Sequence, residues 1–141
     1  MLYSCSLTGT DEYLLDPEDI YVPPGYRIEV YMQGLDMPSD MLFIHDNELL
    51  IAESGYLSLR PRVLRVTDGL TEVLAEGFIT PINGIAYFEN EVYVSHKGQI
   101  SRFGSDGTIV NVLSGLPSNG DFMNNNIVFG TDRKMYFGQG T

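Results

Sequence analysis

Short apolar runs separated by turn residues recur along this chain with a regular period. Residues 30–35 and the proline at position 38 return as residues 73–78 and Pro81, both displaced by the same 43 positions (73 − 30 = 43, 81 − 38 = 43), and a third copy begins at Val112. A period of about 40 to 45 residues carrying short β-type runs is typical of the blades of a β-propeller.

Each repeat predicts four antiparallel strands. The first two runs are almost continuously apolar, as in strands buried on both faces, and the third alternates polar with apolar residues. The pairs Asp68-Gly69 and Asp106-Gly107 supply hairpin turns before the fourth run. Strands are expected near residues 26–33, 41–44, 48–53, 62–66, 71–76, 84–88, 91–96, 99–103, 108–113, 126–129 and 134–139.

The predicted fold class is therefore all-β, with an incomplete propeller domain over residues 20–141 that follows a polar leader at residues 1–19, expected to be poorly ordered. The strands make one outer strand, two whole blades and the inner half of another, or about two and a half to three blades. Either the chain is a fragment of a longer protein, which we favour, or another chain completes the ring. Open edges and uncovered apolar faces predict self-association.

Charge narrows the range of partners. The net charge of −11 repels phosphate groups, which disfavours nucleic acid and anionic membranes, and no apolar stretch approaches the roughly 18 residues of a membrane span. The single cysteine, Cys5, excludes an internal disulfide framework. It follows Leu2-Tyr3-Ser4, which loosely resembles the end of a lipoprotein signal without the apolar region that such a signal requires.

Signatures for nucleotide binding, zinc proteases and serine hydrolases are missing from the sequence. His96 ends the second strand of its blade, at the position that Glu53 and Gln139 hold in the neighbouring blades. Equivalent strand ends converge around a propeller axis, so these three residues are candidates for one mouth of the channel. The alternative, which we favour, is that they are polar strand ends in contact with water.

The repeat is interrupted most sharply at residues 117–125. Six positions separate Leu35 from Met41 (41 − 35 = 6), but eleven separate Leu116 from Ile127 (127 − 116 = 11), so this loop carries five extra residues. Insertions of this kind often lie on the binding face. The loop reads either as a pocket rim or as ordinary turn material; its candidate residues are Asp121, Phe122, Met123, Asn124 and Asn125.

Several motifs in this order resemble the amino-terminal part of the glucose/sorbosone dehydrogenase family. They lie at residues 21–30, 50–53, 62–66, 115–118 and 129–137, so the resemblance runs from about residue 20 to residue 141. It implies a six-bladed β-propeller in which a sugar or polyol hydroxyl transfers a hydride to pyrroloquinoline quinone, with calcium holding the cofactor. It also implies an extracytoplasmic location, whether periplasmic, secreted or as a lipoprotein.

The family pattern places a general-base histidine where this chain has Phe122, next to Asp121. A phenyl ring accepts no proton, so this chain is expected to be inactive as a dehydrogenase by itself. Two alternatives stay open: a non-catalytic propeller that binds or interacts, and a calcium-dependent lactonase-like hydrolase. Glu53 and Asn83 are the candidate calcium ligands for the latter.

Overall fold

The computed structural model describes residues 20–120 and 123–140, and the predicted leader at residues 1–19 lies outside these ranges. Ten strands and no helix occur in the described part. They are β1 (Pro38–His45), β2 (Glu48–Glu53), β3 (Arg62–Thr67), β4 (Leu70–Glu76), β5 (Ile82–Phe88), β6 (Glu91–His96), β7 (Gln99–Phe103), β8 (Val110–Ser114), β9 (Asn124–Phe129) and β10 (Met135–Gln139).

Every pairing between these strands is antiparallel, and within each sheet consecutive strands are neighbours. Blade 1 is the sheet β1–β4, blade 2 is the sheet β5–β8, and blade 3 comprises β9 and β10. The inner strands β1, β5 and β9 pack side by side from blade to blade. The predicted all-β, partial propeller-like fold is therefore confirmed.

One predicted strand is wrong. Residues 26–33 belong to no strand, because no described strand forms a ladder of backbone hydrogen bonds with them. A hydrophobic pattern reports which faces can be buried, whereas a strand also needs a partner for its N–H and C=O groups. The turn from this segment into blade 1 nevertheless resembles the turn from β4 into blade 2. The glycine at each turn, Gly34 and Gly77, has a positive φ angle, of 76° and 100° respectively.

The core lies between the blades. One buried cluster joins Leu50, Ala52 and Val63 of blade 1 to residues of blade 2 that include Ile82 and Ile85. A second cluster joins blade 2 to blade 3. Because both faces of the second strands are covered, five of the six residues of β2 are buried, which explains why these strands read as continuous apolar runs. Each fully buried aliphatic side chain contributes about 1.5 to 3 kcal/mol.

Within the described ranges there is no helix long and apolar enough to cross a membrane.

Candidate functional site: the connection face

One end of the array carries the loops between blades and the loops that join each second strand to the third. We call this end the connection face; among the described residues it comprises 34–37, 54–61, 77–81, 97–98, 115–120 and 123. The same backbone hydrogen bond, 3.1 Å long, closes it in every blade. The donors are the N–H groups of Ser54, Lys97 and Gly140, and the acceptors are the carbonyls of Met37, Pro81 and Met123.

Glu53, His96 and Gln139 occupy equivalent register positions on this face. Each lies opposite the first residue of its inner strand, namely Pro38, Ile82 and Asn124. The structure therefore brings the three predicted strand-end residues to the same end of the array.

All three side chains bond the loop that leads into their own blade. Glu53 Oε1 accepts the N–H of Asp36 at 2.7 Å, and His96 Nδ1 accepts the N–H of Ile79 at 3.2 Å. In blade 3 the equivalent loop residue is Pro117, which has no N–H. Gln139 reverses the polarity of the bond and donates from Nε2 to the Pro117 carbonyl at 3.1 Å. These polar side chains at the strand ends hold the loops in place. Among the described residues, Gln139 Oε1 is the one atom of the three side chains that is buried without a hydrogen-bond partner.

Glu53 is fully engaged. Its side chain is 0% exposed, and its second oxygen accepts a hydrogen bond from Nε of Arg62, which raises the pKa of that guanidinium. A calcium ion at Glu53 would displace both the Asp36 N–H and the Arg62 partner. The geometry therefore gives Glu53 a structural role.

His96 is neutral in this environment. The residue is 3% exposed, and its ring packs edge to face against the ring of Phe78, with the ring centroids 5.4 Å apart. This burial lowers the pKa of His96 to about 4. Because Nδ1 accepts the Ile79 N–H, the proton resides on Nε2 and is donated to Ser101 Oγ, 2.9 Å away. Both ring nitrogens are thus occupied.

This burial predicts acid-dependent stability. The folded pKa of about 4 lies below the ordinary value of 6.5, so the unfolded chain binds more protons between these values. The contribution of neutral His96 to the free energy of unfolding is therefore complete above about pH 6.5, and it is lost as the pH falls towards 4. Between pH 7.5 and pH 5 we expect the wild type to lose about 2 kcal/mol from this group. Urea unfolding across this range measures the loss.

The variant His96→Gln isolates the effect, because glutamine stands at the equivalent position in blade 3 and does not titrate. The difference in the free energy of unfolding between the wild type and His96→Gln should change by about 2 kcal/mol between pH 7.5 and pH 5. His45→Gln, at an exposed site at the end of β1, is the control and should follow the wild type. Parallel pH profiles for the wild type and His96→Gln would contradict the prediction.

Asn124 is a buried strut between blades 2 and 3 and does not line a pocket. It is 0% exposed. Its Nδ2 donates to Ser95 Oγ at 2.7 Å and lies within 3.0 Å of two carbonyls, and its Oδ1 accepts the N–H of Gly98 at 2.8 Å. The predicted candidate is therefore used internally, across the junction of the two blades.

Exposed amides are found beside Asn124, at the start of the inner strands. The pairings of β1 with β2, β5 with β6 and β9 with β10 all change register there, which marks a β-bulge repeated around the array. Strands β5 and β9 approach so closely that a Cβ on Gly84 would lie 2.7 Å from Cα of Asn126. Asn83 is half-buried beside Gly84, and Asn125 and Asn126 are exposed. We call Asn83, Asn125 and Asn126 the amide rim.

Sequence reasoning missed a second insertion. Nine positions separate Glu53 from Arg62 (62 − 53 = 9), whereas three separate His96 from Gln99 (99 − 96 = 3), and this difference in spacing was the available signal. The extra residues form a loop whose apolar side chains are exposed, with Tyr56 at 54% and Leu59 at 76%.

A cavity of about 320 Å³ lies elsewhere, between residues 32–35 and strands β3 and β4, with Glu53 and Arg62 in its wall. It is separate from the amide rim. Asp121, a predicted rim residue, and Phe122, where the resemblance places a general base, lie outside the described residues.

Among residues 20–120 and 123–140, no three His, Cys, Asp or Glu side chains are grouped as a metal site. Comparison with models of known families finds no match, and comparison with curated proteins finds none either. The resemblance to sugar dehydrogenases stays a prediction.

Proposed function

We propose that this chain is a non-catalytic propeller module that binds a polyhydroxylated small molecule, a sugar or polyol, at the amide rim. One observation carries the proposal: the close approach of β5 and β9 at Gly84 brings Asn83 together with Asn125 and Asn126 at the end of the inner strands. The choice of a sugar or polyol comes from the family resemblance.

The chemistry of the rim suits hydroxyl groups. Each amide offers both a carbonyl acceptor and an NH₂ donor, and each alcohol is likewise both donor and acceptor. Asn83 Nδ2 donates to the Asn124 carbonyl at 2.9 Å, which orients its oxygen as an acceptor. The bulges hold the rim on strands, so little ordering is required on binding.

The described candidate residues offer few free oxygen ligands for calcium. Calcium takes about 6 to 8 oxygen ligands, with carboxylates prominent among them. Both oxygens of Glu53 are engaged by protein groups, and Asn83 offers a single oxygen. Phe122, where the family pattern has its base, accepts no proton. These observations favour the hypothesis of binding without turnover over the dehydrogenase and the lactonase-like hypotheses.

Calorimetric titration with D-glucose and with sorbitol tests the proposal. We expect saturable binding to the wild type. Asn126→Ala should weaken it about 5- to 30-fold, because one or two hydrogen bonds of about 1 kcal/mol each are lost. Asn111→Ala, on the outer strand β8 with its amide bonded to Gln99, is the matched control and should bind as the wild type does.

Three results would overturn the proposal. The first is that the folded protein binds neither compound saturably, and the second is that Asn126→Ala binds as tightly as the wild type. The third is vigorous dye reduction with either compound when quinone and calcium are added, since that would show turnover.

A further inference from the structure

Blade 1 exposes apolar side chains at positions that are buried or half-buried in the blades that follow. Met41 lies opposite Ile51, as Ile85 lies opposite Val94 and Ile127 opposite Phe137. Met41 is 51% exposed, whereas Ile85 and Ile127 are 3% and 4% exposed. Phe43, on the same face as Met41, is 68% exposed. In blades 2 and 3 the preceding blade covers this side, which we call the back face.

Blade 3 exposes the opposite side, the front face. Val128 and Tyr136 pair across β9 and β10 and are 60% and 51% exposed. The equivalent pair in blade 2, Ala86 and Tyr93, packs against blade 3. Ala86 is only 8% exposed as a result.

The array therefore leaves the front face of blade 3 uncovered. On the back face of blade 1, Met32 and Leu35 cover β2 and β3, but β1 stays uncovered at Met41 and Phe43. Both junctions inside the chain pack a front face on a back face. We propose that the front face of blade 3 docks on the back face of blade 1 in a second copy of this chain. Association of this kind is head to tail, and it closes when the second copy returns its own blade 3 to the first. Three blades from each copy would make a ring of about six, within the usual range of propellers.

The unpaired segment at residues 26–33 fits the same arrangement. Its motif is that of β4, and the link from Asp36 N–H to Glu53 repeats the link from Ile79 N–H to His96. The segment thus lies where the outer strand of a preceding blade belongs. In the head-to-tail pair, that blade is blade 3 of the other copy, which has only two strands in the described residues and an open edge along β10.

Charge opposes this association. Each copy carries a net charge of −11, so two copies repel at low ionic strength. Added salt screens the repulsion and strengthens apolar contact, so the dimer should tighten as salt is raised.

Sedimentation velocity of the full chain, from about 1 to 100 μM, tests the proposal. We expect a dimer for the wild type, and weakening of at least about 100-fold in Phe43→Asp and in Tyr136→Asp, since each buries a charge in both interfaces. Met41→Asp is a second variant of the back face. Tyr56→Asp, which adds a charge at an exposed residue of the loop between β2 and β3, outside the strands that form both faces, is the control and should dimerise as the wild type does. Circular dichroism confirms that each variant is folded.

Mixing the variants gives the decisive result. An equimolar mixture of Phe43→Asp and Tyr136→Asp contains one interface in which both faces are wild type, so the mixture should associate where each variant alone does not. A wild type that is monomeric throughout, as expected if further blades belong to the same polypeptide, would overturn the proposal. So would a dimer that only the back-face variants disrupt, or a mixture that fails to associate.

Discussion

Replacing Asn124 by alanine is expected to destabilise the protein by about 3 to 5 kcal/mol. The amide makes bonds to Ser95 Oγ, the carbonyls of His96 and Gln99, and the N–H of Gly98, all on blade 2. Removing it leaves several of these groups buried without a partner, and each such group costs about 1 to 3 kcal/mol. Urea unfolding followed by circular dichroism measures the loss.

The neighbouring residue supplies the control for this experiment. Asn125 has the same side chain but is exposed, so Asn125→Ala should change stability by no more than about 0.5 kcal/mol. Equal stability of Asn124→Ala and Asn125→Ala would show that water replaces the buried amide, and the strut would then contribute little to the junction of blades 2 and 3.

Glu53→Ala should cost about 3 to 5 kcal/mol, because it leaves the Arg62 guanidinium and the Asp36 N–H without their buried acceptor. Glu53→Gln should cost less, since an amide oxygen can still accept the Asp36 N–H. Thermal and urea unfolding of both variants at neutral pH measure these costs.

An exposed ion pair serves as the matched control. Glu72 is 54% exposed and pairs with Arg65 on the same sheet, so Glu72→Ala should cost about 0 to 1 kcal/mol. If Glu53→Ala falls within that range, the Glu53 carboxylate is not the fastening group at the connection face that its contacts indicate.

The repeat made the blades predictable from sequence. A four-stranded meander depends on alternation, apolar runs and turns within about 40 residues, and these are local properties of the chain. Ten of the expected strands are present, with ends such as those of β8 and β9 shifted by about two residues. The prediction of a strand at residues 26–33 was wrong because no described strand pairs with this segment.

The candidate site was only partly predictable. Period alone identified Glu53, His96 and Gln139 as equivalent, because equal spacing places residues at equal positions in successive blades. It did not reveal that their polar atoms bond loops 17 to 22 residues away along the chain. Similarly, the Asn-rich insertion was visible in the sequence, but nothing in it separates Asn124 from Asn125.

The sequence by itself determined the fold class, the blade boundaries and the equivalence of positions, since each follows from a pattern repeated along the chain. Only the tertiary structure decided that His96 is buried and neutral, that Asn124 joins two blades while Asn125 is exposed, and that Met41 and Phe43 are uncovered. The physical reason is that burial and hydrogen bonding depend on which distant segments meet. Residues with the same place in the repeat have different neighbours when one blade has a blade beside it and another does not.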